Sequence, residues 1–313
     1  MFPSVVCGMS WAVGIDIGGT NVRAAQVDSA GSVGCVVAEP VDGERRGGSA
    51  FGQLIDMVTE LVGKVGAEPP AGIGIGASGP VDPRRGLIKN PYTLPDAYQG
   101  CVTQRLAEVF GIPVRLENDS DAAALGEAWT GAGAGAQTVV CVTVGTGVGG
   151  GVVRSGQIVR GAEGSHPEPG HHVIDPSGPL CYCGASGCVE SLASGNAIVA
   201  AAVRGGIVPS GGTAADVYAA AATLPECRWI IERSRAALAL AVRNLAVLYA
   251  ADVIVLAGNA LGDPEAVLEA ARREVASYTL GPPGGVQLNL SQLAGMAGCI
   301  GAARLMFVPQ DVS

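Results

Sequence analysis

The sequence predicts an α/β protein built from two related lobes, and three observations carry that prediction. Apolar strand-like runs alternate with segments of helical spacing along the whole chain. A strand–glycine turn–strand unit occurs twice, at 13–22 and 142–152, roughly 125 residues apart, as related halves would place it. A histidine and three cysteines, His171, Cys181, Cys183 and Cys188, form a tight cluster in the second half.

The elements follow in order. Residues 11–17 form an apolar run ending in glycines and read as a buried strand, with further strands at 21–27 and 31–38. Phe51, Leu54, Ile55, Val58, Leu61 and Val62 recur at helical spacing and predict a helix over 50–65. A strand at 71–77 closes on the turn Ser78-Gly79-Pro80, and a helix is expected at 100–110, a strand at 114–117 and a helix at 119–129. In the second half, 137–144, 149–153 and 156–159 read as strands, and 194–203, 216–223 and 226–250 as helices before a strand at 252–256. Pro264 suits the first position of a helix reaching 277, where its missing N–H costs nothing. A strand at 287–290 and a helix at 297–306 complete the series, and Gly131–Ala136 reads as a loop near the lobe junction.

Composition narrows the function. The 313 residues suffice for two domains, and 48% are apolar. Aromatics are only 4%, so packing must rely on small side chains and close backbone approach. A net charge of −9 argues against a nucleic-acid partner, which would need a basic face, but not against a nucleotide enzyme. No apolar run of about 18 residues is free of charge or glycine breaks, so no membrane span is expected. The apolar start, 1–13, has no Lys or Arg ahead of it, so a signal peptide is not expected either. Cys7, Cys35, Cys101, Cys141, Cys227 and Cys299 lie scattered among apolar neighbours, as reduced, buried thiols of a cytoplasmic protein would.

The two glycine turns suit phosphate. Glycines at the end of a strand let backbone N–H groups converge on an anion, and Thr20 and Thr146 add hydroxyls. Asp16 would bring a carboxylate to the hydration shell of Mg²⁺. The plainer reading is two ordinary tight turns; their matching contexts favour phosphate. Matches to G-x-G-x-x-G at 74–79 and 145–150 do not open helices, so neither marks a dinucleotide site, and no P-loop pattern occurs.

Asp119 stands where a strand gives way to a helix. It can be the helix N-cap, the commoner role there, or the carboxylate that accepts a proton from an alcohol in phosphoryl transfer. Asn118 can both donate to and accept from sugar hydroxyls. Glu168, His171 and Glu190 bracket the cysteine cluster and offer the alternating acceptors and donors that a polyol needs, although both carboxylates can equally be solvated surface. One histidine and three cysteines form a complete tetrahedral zinc set, with His172 a weaker candidate than His171. Cys181-Tyr182-Cys183 lacks the spacing of a thioredoxin-type redox motif.

These residues resemble the ROK family (repressors, open reading frames and kinases) from about Ser10 onward. The motifs are Asp16-Ile17-Gly18-Gly19-Thr20-Asn21, Ala77-Ser78-Gly79-Pro80-Val81-Asp82, Glu117-Asn118-Asp119, and Gly145-Thr146-Gly147 with its flanks. Glu168-Pro169-Gly170-His171 and the run from Cys181 to Glu190 are the most specific. The resemblance implies a two-lobed actin-like ATPase (ribonuclease H-like) fold with a cleft between lobes, one lobe at 11–118 plus 297–310 and the other at 119–296. It implies an ATP-dependent kinase of a hexose or related polyol, with Asp119 as general base and with Mg²⁺ and structural Zn²⁺. Sugar contacts are implied for Ser78, Gly79, Asn118, Glu168, His171 and Glu190, and phosphate contacts for Asp16, Gly18, Gly19, Thr20, Asn21, Gly145, Thr146 and Gly147. In Ala257-Gly258-Asn259-Ala260, only Gly258 matches the family's adenosine-side glycines. Zinc falls to His171, Cys181, Cys183 and Cys188, and a homodimer or homotetramer is implied.

The acceptor stays open among glucose, fructose, mannose, N-acetylmannosamine and a cyclitol. His166-Pro167-Glu168 resembles the fructokinase branch and the three-cysteine knuckle the glucokinase branch, while the loop Lys89–Pro95 lacks the tryptophan common in glucokinases. A sugar-sensing repressor is not expected, since only about ten residues, none basic, precede the first strand. A non-catalytic sugar regulator is the remaining rival, against which the intact Asp16, Asp119 and both turns speak.

Overall fold

The computed structural model describes residues 10–41, 50–66, 68–91, 93–94, 98–161, 164–279, 281, 285–293 and 295–308. The start of the chain with Cys7, Tyr92 and Pro95 of the 89–95 loop, and residues 309–310 of the expected first lobe lie outside these. The chain divides into two compact units, one of Met1–Gly131, Arg160–Ser165 and Leu293–Ser313, the other of Ala132–Val159 and His166–Gln292.

The first unit begins with β1 (Trp11–Ile17), β2 (Asn21–Asp28), β3 (Val33–Pro40), α1 (Ala50–Val65) and β4 (Ile73–Ala77). Three short strands follow, β5 (Val81–Asp82), β6 (Leu87–Ile88) and β7 (Gly100–Cys101), then α2 (Val102–Phe110), β8 (Val114–Asn118) and α3 (Asp119–Thr130). Its main sheet has the order β3-β2-β1-β4-β8. β1, β2 and β3 are antiparallel, and β4 and β8 run parallel to β1. β1 is covered on both faces, which is why it reads as a continuous apolar run.

The second unit repeats the plan with β9 (Thr138–Val144), β10 (Val148–Arg154) and β11 (Gln157–Ile158). After a 3₁₀ turn at Pro169–His171 come α4 (Val189–Ala193), α5 (Gly195–Arg204), α6 (Ala214–Ala220), α7 (Pro225–Tyr249), β12 (Val253–Ala257), α8 (Pro264–Ala276) and β13 (Gln287–Leu290). The sheet order β11-β10-β9-β12-β13 matches that of the first unit, with antiparallel hairpins on one side and parallel strands on the other. The two glycine turns therefore occupy equivalent places, β1–β2 and β9–β10.

The last helix, α9 (Ala297–Arg304), belongs to the first unit and packs on β1, β4 and α3. Its tightest approaches are to backbone. A Cβ at Gly14 would lie 1.9 Å from the Cys299 carbonyl oxygen, and one at Gly74 1.8 Å from that of Ala302. A Cβ at Gly301 would lie 1.6 Å from the Ala122 carbonyl oxygen of α3. The glycine match at 74–79 thus serves packing, and it leads into a turn rather than a helix.

Several details differ from the expectations. The expected lobe boundary at 118/119 differs from the break at Gly131, because α3 packs on α9 within the first unit. The first two residues of the helix expected at 100–110 pair with β6 instead. Cys35 and Cys101 are partly exposed rather than buried, lying on β3 and in the short β7; Cys141, Cys227 and Cys299 are buried, and all eight described cysteines are free. Among the described residues no helix is long and apolar enough to cross a membrane.

The packing of α9 sets a prediction. Gly301→Ala should destabilise the protein by about 1–3 kcal/mol in urea unfolding, since the added methyl overpacks a backbone contact. Gly63→Ala, in α1 where a Cβ meets nothing within 4 Å, should be neutral or stabilise by up to about 1 kcal/mol. Equal effects at both positions would contradict the packing argument.

Candidate active site

Helix α3 starts at the end of β8, and its cap decides what Asp119 is free to do. Asn118 is the N-cap: its side-chain oxygen accepts hydrogen bonds from the backbone N–H of Ser120 (2.9 Å) and Asp121 (3.2 Å). Asp119, one residue on, is therefore the first helical residue rather than the cap. Its Oδ1 accepts from Ser120 N–H at 2.7 Å and its Oδ2 from the Ser78 hydroxyl at 2.8 Å. Asn118 keeps only its amide nitrogen for a ligand, beside Gly79, where a Cβ would lie 2.9 Å from Nδ2. Ser78 is fixed from both sides, its N–H donating to the Ile17 carbonyl and its own carbonyl accepting from Asn90 Nδ2.

Behind Asp119 lies a buried ion pair that no local motif announces. Glu117 is 2% exposed; its Oε2 accepts from Arg160 and its Oε1 from the Asn118 N–H at 2.8 Å. Arg160 comes from a segment far along the chain, so nothing near Glu117 in sequence foretells the pairing.

Asp16 sits near the end of β1, against the first turn of α9, where a Cβ on Gly298 would lie 2.8 Å from its carboxylate carbon. Burial, then the charge of Asp119, push its pKa up to about 6, while Arg23, 3.9 Å away, pulls the other way. The turn Gly18–Asn21 next to it is closed by the Gly18 N–H donating to the Asn21 carbonyl at 3.0 Å, and Gly19, Thr20 and Asn21 are exposed.

In the second unit, the Gly145 N–H donates to the Gly147 carbonyl (2.9 Å), and the start of α5 donates to the carbonyls of Gly145 and Thr146. Glu190 of α4 docks against this turn. Its Oε2 accepts from the Val148 N–H at 2.8 Å, and a Cβ on Gly147 would lie 2.5 Å from that oxygen. Gly258 has φ +108° and would bring a Cβ within 2.1 Å of the Val144 carbonyl oxygen, so glycine is required there.

The cysteine knuckle is folded onto itself. The Cys181 N–H donates to the Ala185 carbonyl and the Gly184 N–H to that of Cys181. Gly187, at φ +73°, passes so close to the Asp175 carbonyl that no side chain fits. Donor atoms of His171, Cys181, Cys183 and Cys188 all lie within 4.8 Å of one another, a set able to hold a metal ion. Cys181 Sγ is 3.5 Å from His171 Nδ1, and Cys183 Sγ is 3.5 Å from Cys188 Sγ. His172 is outside the set, its Nδ1 against the Pro169 carbonyl at 2.6 Å. Glu168 is exposed, with its Oε1 3.6 Å from His166 Nε2.

Within the first unit, the structure thus brings together Asp16, Ser78, Gly79, Asn118 and Asp119. Within the second it brings together Gly147, Glu190, His171 and the three cysteines. Sequence reasoning missed Arg160, Arg23 and Tyr182; the last carries a signal, an aromatic between two metal-type cysteines.

The profile of the ROK family matches residues 12–308. This chain belongs to the ROK family. Its relatives include a glucokinase from Halalkalibacterium halodurans, 30% identical over 317 residues covering 95% of this ROK chain and 94% of that enzyme. A glucokinase from Thermotoga maritima is 33% identical over 186 residues, but that match spans only 59% of this chain and 58% of that enzyme. An N-acetylmannosamine kinase from Salmonella arizonae is 31% identical over 93% of this chain and 96% of that enzyme. Among solved structures, a ROK hexokinase from Thermus thermophilus matches with TM-score 0.83 at 31% identity, over 94% of this chain and 96% of that one. A ROK glucokinase from Streptomyces griseus in complex with glucose and AMPPNP matches with TM-score 0.75 at 29% identity, over 95% and 99%. The fold of this ROK protein is accordingly the two-lobed actin-like ATPase fold.

Asp16 gives the site a pH signature. Its raised pKa means that the folded chain keeps this proton to higher pH than the unfolded chain does. Unfolding then releases a proton between about pH 4 and 6, and stability falls as pH rises through that window. In magnesium-free buffer, Asp16→Asn should be more stable than the unsubstituted protein by about 1–3 kcal/mol at pH 8 and equal to it below about pH 4. A variant no more stable at pH 8 would show that the Asp16 carboxylate is not strained by its surroundings.

Proposed function

We propose that this ROK protein transfers the γ-phosphoryl group of ATP to a hydroxyl of a hexose or closely related sugar, with Asp119 as general base. The observation that carries the reading is the near full-length relationship to glucokinases, one of them holding glucose and an ATP analogue. The local geometry supports it. Asp119 is released from capping by Asn118, and the Ser78 hydroxyl and Ser120 N–H orient its carboxylate. An acceptor hydroxyl beside it would lose its proton to Asp119 as its oxygen attacks phosphorus.

Asp16 is the carboxylate that would face nucleotide-bound Mg²⁺. The cation supplies charge neutralisation at the phosphates, and the fit is chemical: two neighbouring carboxylates that repel each other are relieved by a cation. The turns 18–21 and 145–147 would receive phosphate oxygens, and Gly258 would lie on the adenosine side. Sugar contacts are assigned to Ser78, Gly79 and Asn118 of the first unit and to Glu168, His171 and Glu190 of the second. Zinc suits His171, Cys181, Cys183 and Cys188, since imidazole and three thiolates form its usual closed structural set. A cytoplasmic setting is supported by the eight free cysteines. The match to an N-acetylmannosamine kinase supports an amino sugar as the second reading of the acceptor.

Asp119→Asn should lower kcat by about 10²–10⁴-fold and leave sugar binding largely unchanged, because it keeps size and hydrogen bonding but removes the base. A near-normal kcat would reduce Asp119 to a structural role. Purified, never-chelated protein should carry about one zinc per chain, and Cys183→Ser should lower metal content and stability together. Metal analysis that finds no zinc would overturn the ligand assignment.

A further inference from the structure

His171 has two ring nitrogens and, on the reading above, two tasks. Nδ1 faces the cysteine cluster, 3.5 Å from Cys181 Sγ. That leaves Nε2 for a sugar hydroxyl, but Nε2 already has a partner: the hydroxyl of Tyr182 lies 2.9 Å from it. The two rings meet edge to face, with centroids 5.0 Å apart and planes at 88°. Glu190 and Glu168 lie near enough for their charges to be felt at the same hydroxyl. A single phenol oxygen thus stands among His171, Glu190 and Glu168, the three residues of this unit assigned to the sugar.

We propose that Tyr182 is an intramolecular competitor for the acceptor site, its hydroxyl holding the place on His171, beside Glu190, that a sugar hydroxyl must take. The proposal rests on the assignment of His171 and Glu190 to the sugar. The side chain is built to leave: Tyr182 is 82% exposed, so its ring gives up little packing when it swings away. Its backbone is not free to follow, being flanked by Cys181 and Cys183 and closed by the turn at Gly184. Displacement is therefore a side-chain rotation. A sugar that offers a hydroxyl to His171 restores the bond lost with the phenol; one that does not leaves the imidazole unpaired and binds worse. Tyr182 in this way raises the threshold for every acceptor and rewards those with the matching hydroxyl pattern.

Tyr182→Phe keeps the ring and removes the competing oxygen. With glucose and N-acetylmannosamine as probes, the better bound should gain about threefold to tenfold in affinity, the range of one net hydrogen bond. Its KM should fall in step, with kcat and KM for ATP unchanged. Tyr182→Ala should move sugar affinity the same way, which separates loss of the hydroxyl from any change in ring packing. Sugar affinity unchanged or weakened in Tyr182→Phe would overturn the proposal. Glu190→Gln, measured alongside, tells the two levels apart. If it raises the sugar KM while Tyr182→Phe fails to lower it, only the competitor is wrong. If it leaves the sugar KM unchanged, the assignment of the sugar to this unit fails, and the competitor with it.

Discussion

Everything placed around Asp16 and Asp119 depends on how closely α9 approaches β1, β4 and α3. That approach exists because Gly14, Gly74 and Gly301 present bare backbone; a single methyl at any of them would lie under 2 Å from a carbonyl oxygen. The consequence is positional. α9 lays its first turn against the Asp16 carboxylate and holds α3, whose first residue is Asp119. Burial there, and then the charge of Asp119, raise the cost of ionising Asp16, and Arg23 offsets part of that cost. A chain with 4% aromatics and 48 glycines is suited to such packing, since close backbone contact replaces large side chains as the source of dispersion energy.

The second constraint is the division of labour at the end of β8. Two adjacent residues could each cap α3. Asn118 takes the role, worth about 0.5–2 kcal/mol, and Asp119 is left with one oxygen turned to an alcohol, the Ser78 hydroxyl. Glu117 steadies the pair from behind by accepting from the Asn118 N–H while its other oxygen meets Arg160. Arg160 thus braces the end of β8 that carries Asn118 and Asp119. In the second unit Glu190 plays a comparable linking part, joining the helix after the knuckle to the turn at Gly147 and Val148.

Much of this was legible in the sequence, for physical reasons that can be named. Fully covered strands such as β1 and β9 are continuous apolar runs, and α1 has an unambiguous helical stripe, so its predicted limits match the observed Ala50–Val65. The knuckle could be read because its ligands lie close together in sequence. The small sheet of β5, β6 and β7 could not, because strands of two residues carry no periodicity. The capping choice between Asn118 and Asp119 was also hidden, since both side chains cap well and only the geometry of the strand end decides. The partners Arg160 for Glu117 and Tyr182 for His171 depend on three-dimensional proximity, which local pattern does not encode. The break after α3 rather than before it follows from contacts with a helix some 170 residues further on, again a long-range effect.

The central claim is that this arrangement serves phosphoryl transfer from ATP to a sugar. Its most direct test is sugar-dependent ADP release by the purified protein with Mg²⁺ across glucose, fructose, mannose, N-acetylmannosamine and a cyclitol. Turnover is expected with at least one hexose or amino sugar, abolished when the sugar is omitted. Binding of ATP and sugar without ADP release for any member of the panel would contradict it and turn the protein into a sugar-responsive binder.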